Sequence, residues 1–226
     1  MFGLIAPVED IFALAKKYEA ITLVDMAQTA GLVDLNVGLT TIDFAVFAGH
    51  KTLYGPTGIS GFVMNPEVKF PTVIFGGTGY ESANQFMPED LPQKYEMGTL
   101  NIVGIAGLNA ALGWSAHVTI DAIREKEAEN RKKLIYLLDR YSYIKIIGNY
   151  DFCDYVGIVS CVIEGISSDS AGPVFDRCGI AVRTGLQCAP LAHQFIGTFP
   201  AGTIRFSVNI LQQMKILRSW KKLWII

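Results

Sequence analysis

Residues 41–64 read TIDFAVFAGHKTLYGPTGISGFVM, and their pattern decides the fold. Residues 41–49 form a largely apolar run of strand length, which predicts a buried strand. A loop containing His50 and Lys51 follows. Residues 58–65 (GISGFVMN) then alternate in the manner of an edge strand. Upstream, residues 20–25 (AITLVD) read as a short buried strand ending in Asp25. Before it, residues 7–18 (PVEDIFALAKKY) carry a helix signature, with Pro at the start, acids in the first turn and lysines in the last. Val8, Ile11, Phe12, Leu14 and Ala15 would form one buried stripe of that helix. Helix, strand, loop and strand at this pace predict an α/β layer with a largely covered sheet.

Downstream, residues 66–100 are rich in Gly, Pro and polar groups and predict a long connection, of the kind that is often functional. Residues 102–140 read as helical in two parts, the second with an acid-to-base gradient. Beyond Tyr143 the texture changes to short strands (144–148 and 156–165), a helix-like stretch (167–179) and a strand (181–185). This change predicts two domains, 1–140 and 141–226.

Composition narrows the function classes. With 19 basic and 21 acidic residues, the net charge of −2 excludes a basic nucleic-acid binder by bulk charge. Half the residues are apolar, yet no apolar run reaches membrane-spanning length. Met1–Pro7 is too short for a secretory signal and is followed by Glu9 and Asp10. The expectation is a cytoplasmic protein that binds neither nucleic acid nor membrane. The four cysteines, at 153, 161, 178 and 188, lack zinc-finger spacing, and the three histidines do not form a metal motif, so no metal site is expected.

Asp25-x-x-Gln28 ends one strand, and the His50–Lys51 pair ends the next. Taken singly, the aspartate reads as a turn or helix cap and the lysine as a solvated charge. Together, a carboxylate and a lysine at the C-terminal ends of two strands would meet in the crevice where α/β folds bind ligands. Pyridoxal 5'-phosphate needs that pairing: a lysine amine to hold it covalently and an acid to keep its pyridine nitrogen protonated. Gln28 would donate to the ring's phenolic oxygen.

A second candidate lies near the C-terminus. Cys188 sits in a loop bounded by Gly and Pro, with Arg183 and His193 close in sequence, a setting that favours thiolate. Cys153, Cys161 and Cys178 lie in apolar settings and read as packing thiols.

With these residues in view, the stretches VDMAQTAG (24–31), DFAVFAGHKTLYGPTGISGFVM (43–64), AVRTGLQCAPLAH (181–193) and GTFPAGTIRFSVN (197–209) resemble the class V aminotransferases of fold-type I, and within them the cysteine desulfurases. The resemblance implies a partial PLP-dependent transferase fold of α/β class. Residues 1–140 would be part of the large mixed-sheet domain, and 141–226 a small α+β domain carrying the cysteine loop. It implies that Lys51 holds the cofactor and moves protons at the substrate Cα, that Asp25 and Gln28 contact its ring, and that His50 helps hold its phosphate. Thr99 would reach the phosphate of the neighbouring subunit's cofactor in a homodimer. Cys188 would accept sulfur from L-cysteine as a persulfide, for delivery to an acceptor protein. Arg205 would clamp the substrate carboxylate, with Arg183 assisting. A class V transaminase, a selenocysteine lyase and an inactive remnant are the alternatives; Cys188 argues against the transaminase.

The chain departs from that pattern at Ala48, where the family commonly has a phosphate-binding Ser, and at Leu100, where it has Pro. Relatives of the resembled family run to nearly twice this length, so an N-terminally truncated copy is expected, with a phosphate loop missing. The tail ILQQMKILRSWKKLWII (210–226) carries four positive charges and no acid. It can be encoded by codons whose shifted frame reads FTTDEDIEKLEKAVDY, the acidic helix expected at that place, and it is therefore expected to be a frameshift product.

Overall fold

The computed structural model describes every residue except 39–40, 152 and 212–226; the proposed frameshifted segment lies almost wholly outside the described residues. The chain divides into two compact units, Pro7–Val118 and a unit joining Met1–Ala6 to the chain from Thr119 onward. This division falls one helix before the 140/141 boundary expected from sequence. The reason is packing: Leu134, Leu137 and Leu138, at the end of the helix that follows Thr119, are buried with the later strands.

In the first unit, helix α1 (Val8–Lys16) precedes strands β1 (Leu23–Asp25), β2 (Phe44–Ala48) and β3 (Ser60–Met64), and helix α2 (Ile102–Val118) closes it. β1 and β2 run parallel, with Asp25 opposite Val46, and β3 returns antiparallel to β2. Strand side chains alternate between faces. Val24 and Ala45 therefore enter a core with Phe12, Met26, Ile42 and Leu53. Leu23, Phe44, Val46 and Phe62 point the other way, into an apolar groove of about 340 Å³ that Phe70 also lines. Asp43, at the foot of β2, is buried and accepts the Thr22 backbone N–H at 2.8 Å and the Lys16 ammonium. Burial pushes its pKa up, but Lys16 and the Thr22 donors outweigh this and hold it below the usual carboxylate value.

Two expectations about this unit are corrected. β1 is buried on one face only: Val24 enters the core, whereas Leu23 on the opposite face is 58% exposed. The helix stripe is also narrower than expected. Of the five residues named for it, Phe12 is buried, whereas Ile11 and Leu14 are exposed.

The second unit begins with α3 (Ile120–Leu138), whose first turn is capped by the Thr119 side chain accepting from Ala122 N–H. β4 (Ile144–Ile147), β5 (Ile158–Ile163), α4 (Ser168–Arg177), β6 (Arg183–Gly185), α5 (Pro190–Phe195) and β7 (Thr203–Ser207) follow. The four strands form one antiparallel sheet in the order β4-β5-β7-β6. Val159, Cys161, Ile204 and Phe206 share its inner face with Leu134, Leu138 and Phe175 from the helices. The Phe175 and Phe206 rings meet edge to face at 5.4 Å. The opposite face carries Ser160, Thr203, Arg205 and Arg183. The N-terminal strap reaches this unit through Ser160 Oγ, which donates to the Met1 carbonyl at 3.0 Å. Among the described residues, no single helix is long and apolar enough to cross a membrane.

Candidate active site

The sequence-predicted residues fall into two groups, one in each unit. Asp25, Gln28, His50, Lys51 and Thr99 belong to Pro7–Val118, and Arg183, Cys188 and Arg205 belong to the second unit.

In the first group, parallel pairing brings the C-terminal ends of β1 and β2 to the same edge of the sheet. Asp25 is the last residue of β1, and its Oδ1 accepts the Ala27 N–H at 2.8 Å, turning the chain towards Gln28. The strand register is continued by Met26 N–H donating to the Val46 carbonyl at 2.8 Å. Three residues past the end of β2, Lys51 lies in a turn closed by Gly49 N–H on the Ile59 carbonyl (3.0 Å) and Gly55 N–H on the Gly49 carbonyl (2.7 Å). Leu53 is buried beneath this turn, which leaves Lys51 and His50 exposed. Among the described residues, neither Asp25 nor Lys51 takes part in an ion pair. Thr99 is exposed just before α2. Its turn is tied to the Lys51 loop by Asn101, whose Nδ2 donates to the Gly58 carbonyl at 3.0 Å while its Oδ1 accepts the Gly104 N–H.

This group fits pyridoxal phosphate in its donor chemistry. A free amine and a carboxylate with one oxygen unengaged stand at one strand edge, both open to solvent, with Gln28 on the same turn as the carboxylate.

The second group is built on the outer face of the small sheet. Arg183 on β6 is the register partner of Arg205 on β7. The Nε of Arg205 is buried without a hydrogen-bond partner. Burial lowers its pKa, the Arg183 charge lowers it further, and the Cys188 thiol acts in the opposite direction. Cys188 is exposed, and it and Gln187 are consecutive residues in the left-handed region (φ 62° and 44°). An unpaired buried guanidinium N–H with a second arginine in register across the sheet is a place for an anion, and the exposed thiol lies within reach of the Arg205 charge. Cys161, by contrast, sits within β5, and burial pushes its thiol up to about 12. Cys153 and Cys178 are only partly buried.

One expected neighbour of Cys188 is corrected. His193 is fully buried in α5, with Nδ1 at 2.7 Å from Thr198 Oγ1. Burial lowers its pKa, so it is not a cation beside the thiol. The cation within electrostatic reach of Cys188 is Arg205. Sequence reading also passed over Gln187 and Thr203, which join the cysteine loop to β7. Their signal is faint, since neither belongs to a residue class that draws attention in a loop.

The sequence profile described as Aminotransferase class-V matches residues 1–216. The chain belongs to the aminotransferase class-V family. Among curated relatives, it is 30% identical over 213 residues to a probable cysteine desulfurase of Methanothermobacter thermautotrophicus, covering 92% of this chain and 53% of that protein. It is 35% identical over 194 residues to a probable cysteine desulfurase of Halalkalibacterium halodurans, covering 84% of this chain and 47% of the other. The apo cysteine desulfurase from Thermococcus onnurineus NA1 superposes with a TM-score of 0.88 at 29% identity, over 99% of this chain and 56% of that one. The chain thus spans about half the length of the class-V relatives it matches, and its fold is part of a PLP-dependent transferase fold.

Proposed function

We propose that the chain acts as a pyridoxal 5'-phosphate-dependent cysteine desulfurase, converting L-cysteine to L-alanine and keeping the sulfur as a persulfide on Cys188. The observation that carries this reading is the exposed Cys188, on a left-handed turn within electrostatic reach of Arg205, whose buried Nε has no hydrogen-bond partner. A transamination needs no such thiol. The relatives named as cysteine desulfurases support the same reading.

When bound, the cofactor supplies an electron sink that eases bond breaking next to the amino acid's Cα. Lys51 would hold it, Asp25 would keep its ring nitrogen protonated, Gln28 would donate to its phenolic oxygen and His50 would help hold its phosphate. Lys51 would also move a proton at the substrate Cα. Arg205, assisted by Arg183, would bind the α-carboxylate and so satisfy the orphaned Nε. Cys188 Sγ would attack the substrate sulfur as a thiolate. The new S–S bond forms as the substrate's Cβ–S bond breaks. The carbon keeps that electron pair and takes a proton, so L-alanine leaves and the outer sulfur stays on Cys188. An acceptor protein would then take it. The same reading places the chain in the cytoplasm as a homodimer, with Thr99 serving the partner's phosphate.

The test is direct. The chain is incubated with pyridoxal phosphate, reduced with borohydride and mapped by peptide mass spectrometry. Stoichiometric label on Lys51, lost in Lys51→Ala, is expected. L-cysteine should then place one extra sulfur on Cys188, and none in Cys188→Ala. Label scattered over surface lysines, or turnover that survives Cys188→Ala, overturns the reading.

A further inference from the structure

The turn that presents Cys188 is not shaped by glycine. Gln187 and Cys188 are both left-handed, a conformation that side-chain-bearing residues leave unless something holds them. The Ala189 N–H closes the turn on the Leu186 carbonyl at 2.9 Å, and a reciprocal pair of side-chain hydrogen bonds fastens the turn to β7. Gln187 Nε2 donates to the Thr203 carbonyl at 3.1 Å, and Thr203 Oγ1 donates to Gln187 Oε1 at 3.2 Å. Thr203 is fully buried, so water does not compete for these hydrogen bonds. It is the first residue of β7, two before Arg205, and alternation places both on one face of the sheet. Thr203 also pairs in register with Gly185, and Arg205 with Arg183. The side chain adjoining the thiol is thus fastened to the strand that carries the arginine.

We propose that Gln187 is a positioning residue, whose clasp on Thr203 holds the Cys188 thiol in the field of Arg205, the register partner of Arg183. This deepens the reading of Cys188 as the reacting thiol, and rests on it for its purpose though not for its geometry. Released from Thr203, the turn would relax out of the left-handed region and carry the thiol away from the Arg205 guanidinium. Gln187 touches no reacting atom; it acts through the place it gives to Cys188.

Alkylation rates of the full chain without cofactor test this. Iodoacetate and iodoacetamide share one chemistry but differ in charge, and peptide mapping gives the rate at each cysteine. A thiol within electrostatic reach of the Arg205 guanidinium favours the anionic reagent relative to Cys153 and Cys178 in the same molecule. Gln187→Met keeps the side chain's bulk without its hydrogen bonds, and Thr203→Val removes the hydroxyl donor. Each is expected to lower the iodoacetate-to-iodoacetamide ratio at Cys188 by about threefold or more, while Thr203→Ser stays close to the parent. A loss of stability alone would lower the melting temperature and leave the ratio unchanged. An unchanged ratio in a folded Gln187→Met or Thr203→Val chain overturns the proposal. Persulfide formation is scored separately. A ratio that falls as expected in a chain that never forms a persulfide keeps the positioning role and refutes the desulfurase reading.

Discussion

Arg205 on β7 stands directly across from Arg183 on β6, two cations in register on neighbouring antiparallel strands. Like charges so placed destabilise a sheet unless an anion joins them. The orphaned Arg205 Nε marks where that anion would bind. Arg205→Lys keeps the charge and loses the planar fork. It should raise KM for L-cysteine by roughly 10–100-fold, the worth of one charge-assisted hydrogen bond, with a smaller change in kcat. Steady-state alanine release measures this, and an unchanged KM refutes the carboxylate assignment.

Thiol reactivity should separate the cysteines. Burial pushes Cys161 up to about 12, so at pH 8 only roughly one molecule in ten thousand carries its thiolate. Cys188 is exposed and within electrostatic reach of Arg205. Peptide-mapped alkylation of the native chain should label Cys188 first and Cys161 only after denaturation. Early label on Cys161 would show that β5 opens readily.

Gly202 closes the approach of β7 to the cysteine loop. Its φ is +73°, and a Cβ there would lie 2.3 Å from both the carbonyl carbon and the oxygen of Gly185. Gly202→Ala combines left-handed strain with a backbone clash that no rotamer relieves. The cost is about 3 kcal/mol. The melting temperature should fall by roughly 5–10 °C. A melt within a degree of the parent would contradict the close approach.

Glu127 on α3 is buried and accepts the Gly157 N–H at 2.6 Å. Burial raises its pKa, and the Gly157 bond only partly offsets this. The folded chain therefore holds this proton more tightly than the unfolded chain. Stability from this group is full below its unfolded value and declines as pH rises through the interval up to its raised folded value. Glu127→Gln retains an acceptor for Gly157 and carries no charge. Its melting temperature should match or exceed the parent's at pH 7, and the advantage should vanish near pH 4. A variant less stable than the parent at pH 7 would show that the carboxylate is needed in its charged form.

Much of the site could be read from the chain itself. The Asp25, Gln28, His50 and Lys51 set was visible because local signals, a strand end and the turn after it, place each residue. Cys188 stood out through its loop composition. β7 was harder to see. Residues 203–207 alternate polar and apolar as an amphipathic strand should, but the run is short and follows a Gly/Pro-rich turn. It nevertheless lies inside the sheet, between β5 and β6, and supplies both Thr203 and Arg205. The place of His193 was hidden for a related reason: nearness in sequence to Cys188 says nothing about the direction of its ring, and packing buries that ring.

Sequence alone determined the residue types of the chemistry, the family they belong to and most of the helices and strands, because periodicity, capping and turn residues act over a few positions. Tertiary structure alone decided which faces are covered. It left the Leu23 face of β1 open, joined α3 to the small sheet, set Arg183 against Arg205, and fastened Gln187 to Thr203. Those outcomes depend on pairings between residues up to some tens of positions apart. Strand order and register, which no local pattern specifies, bring them together.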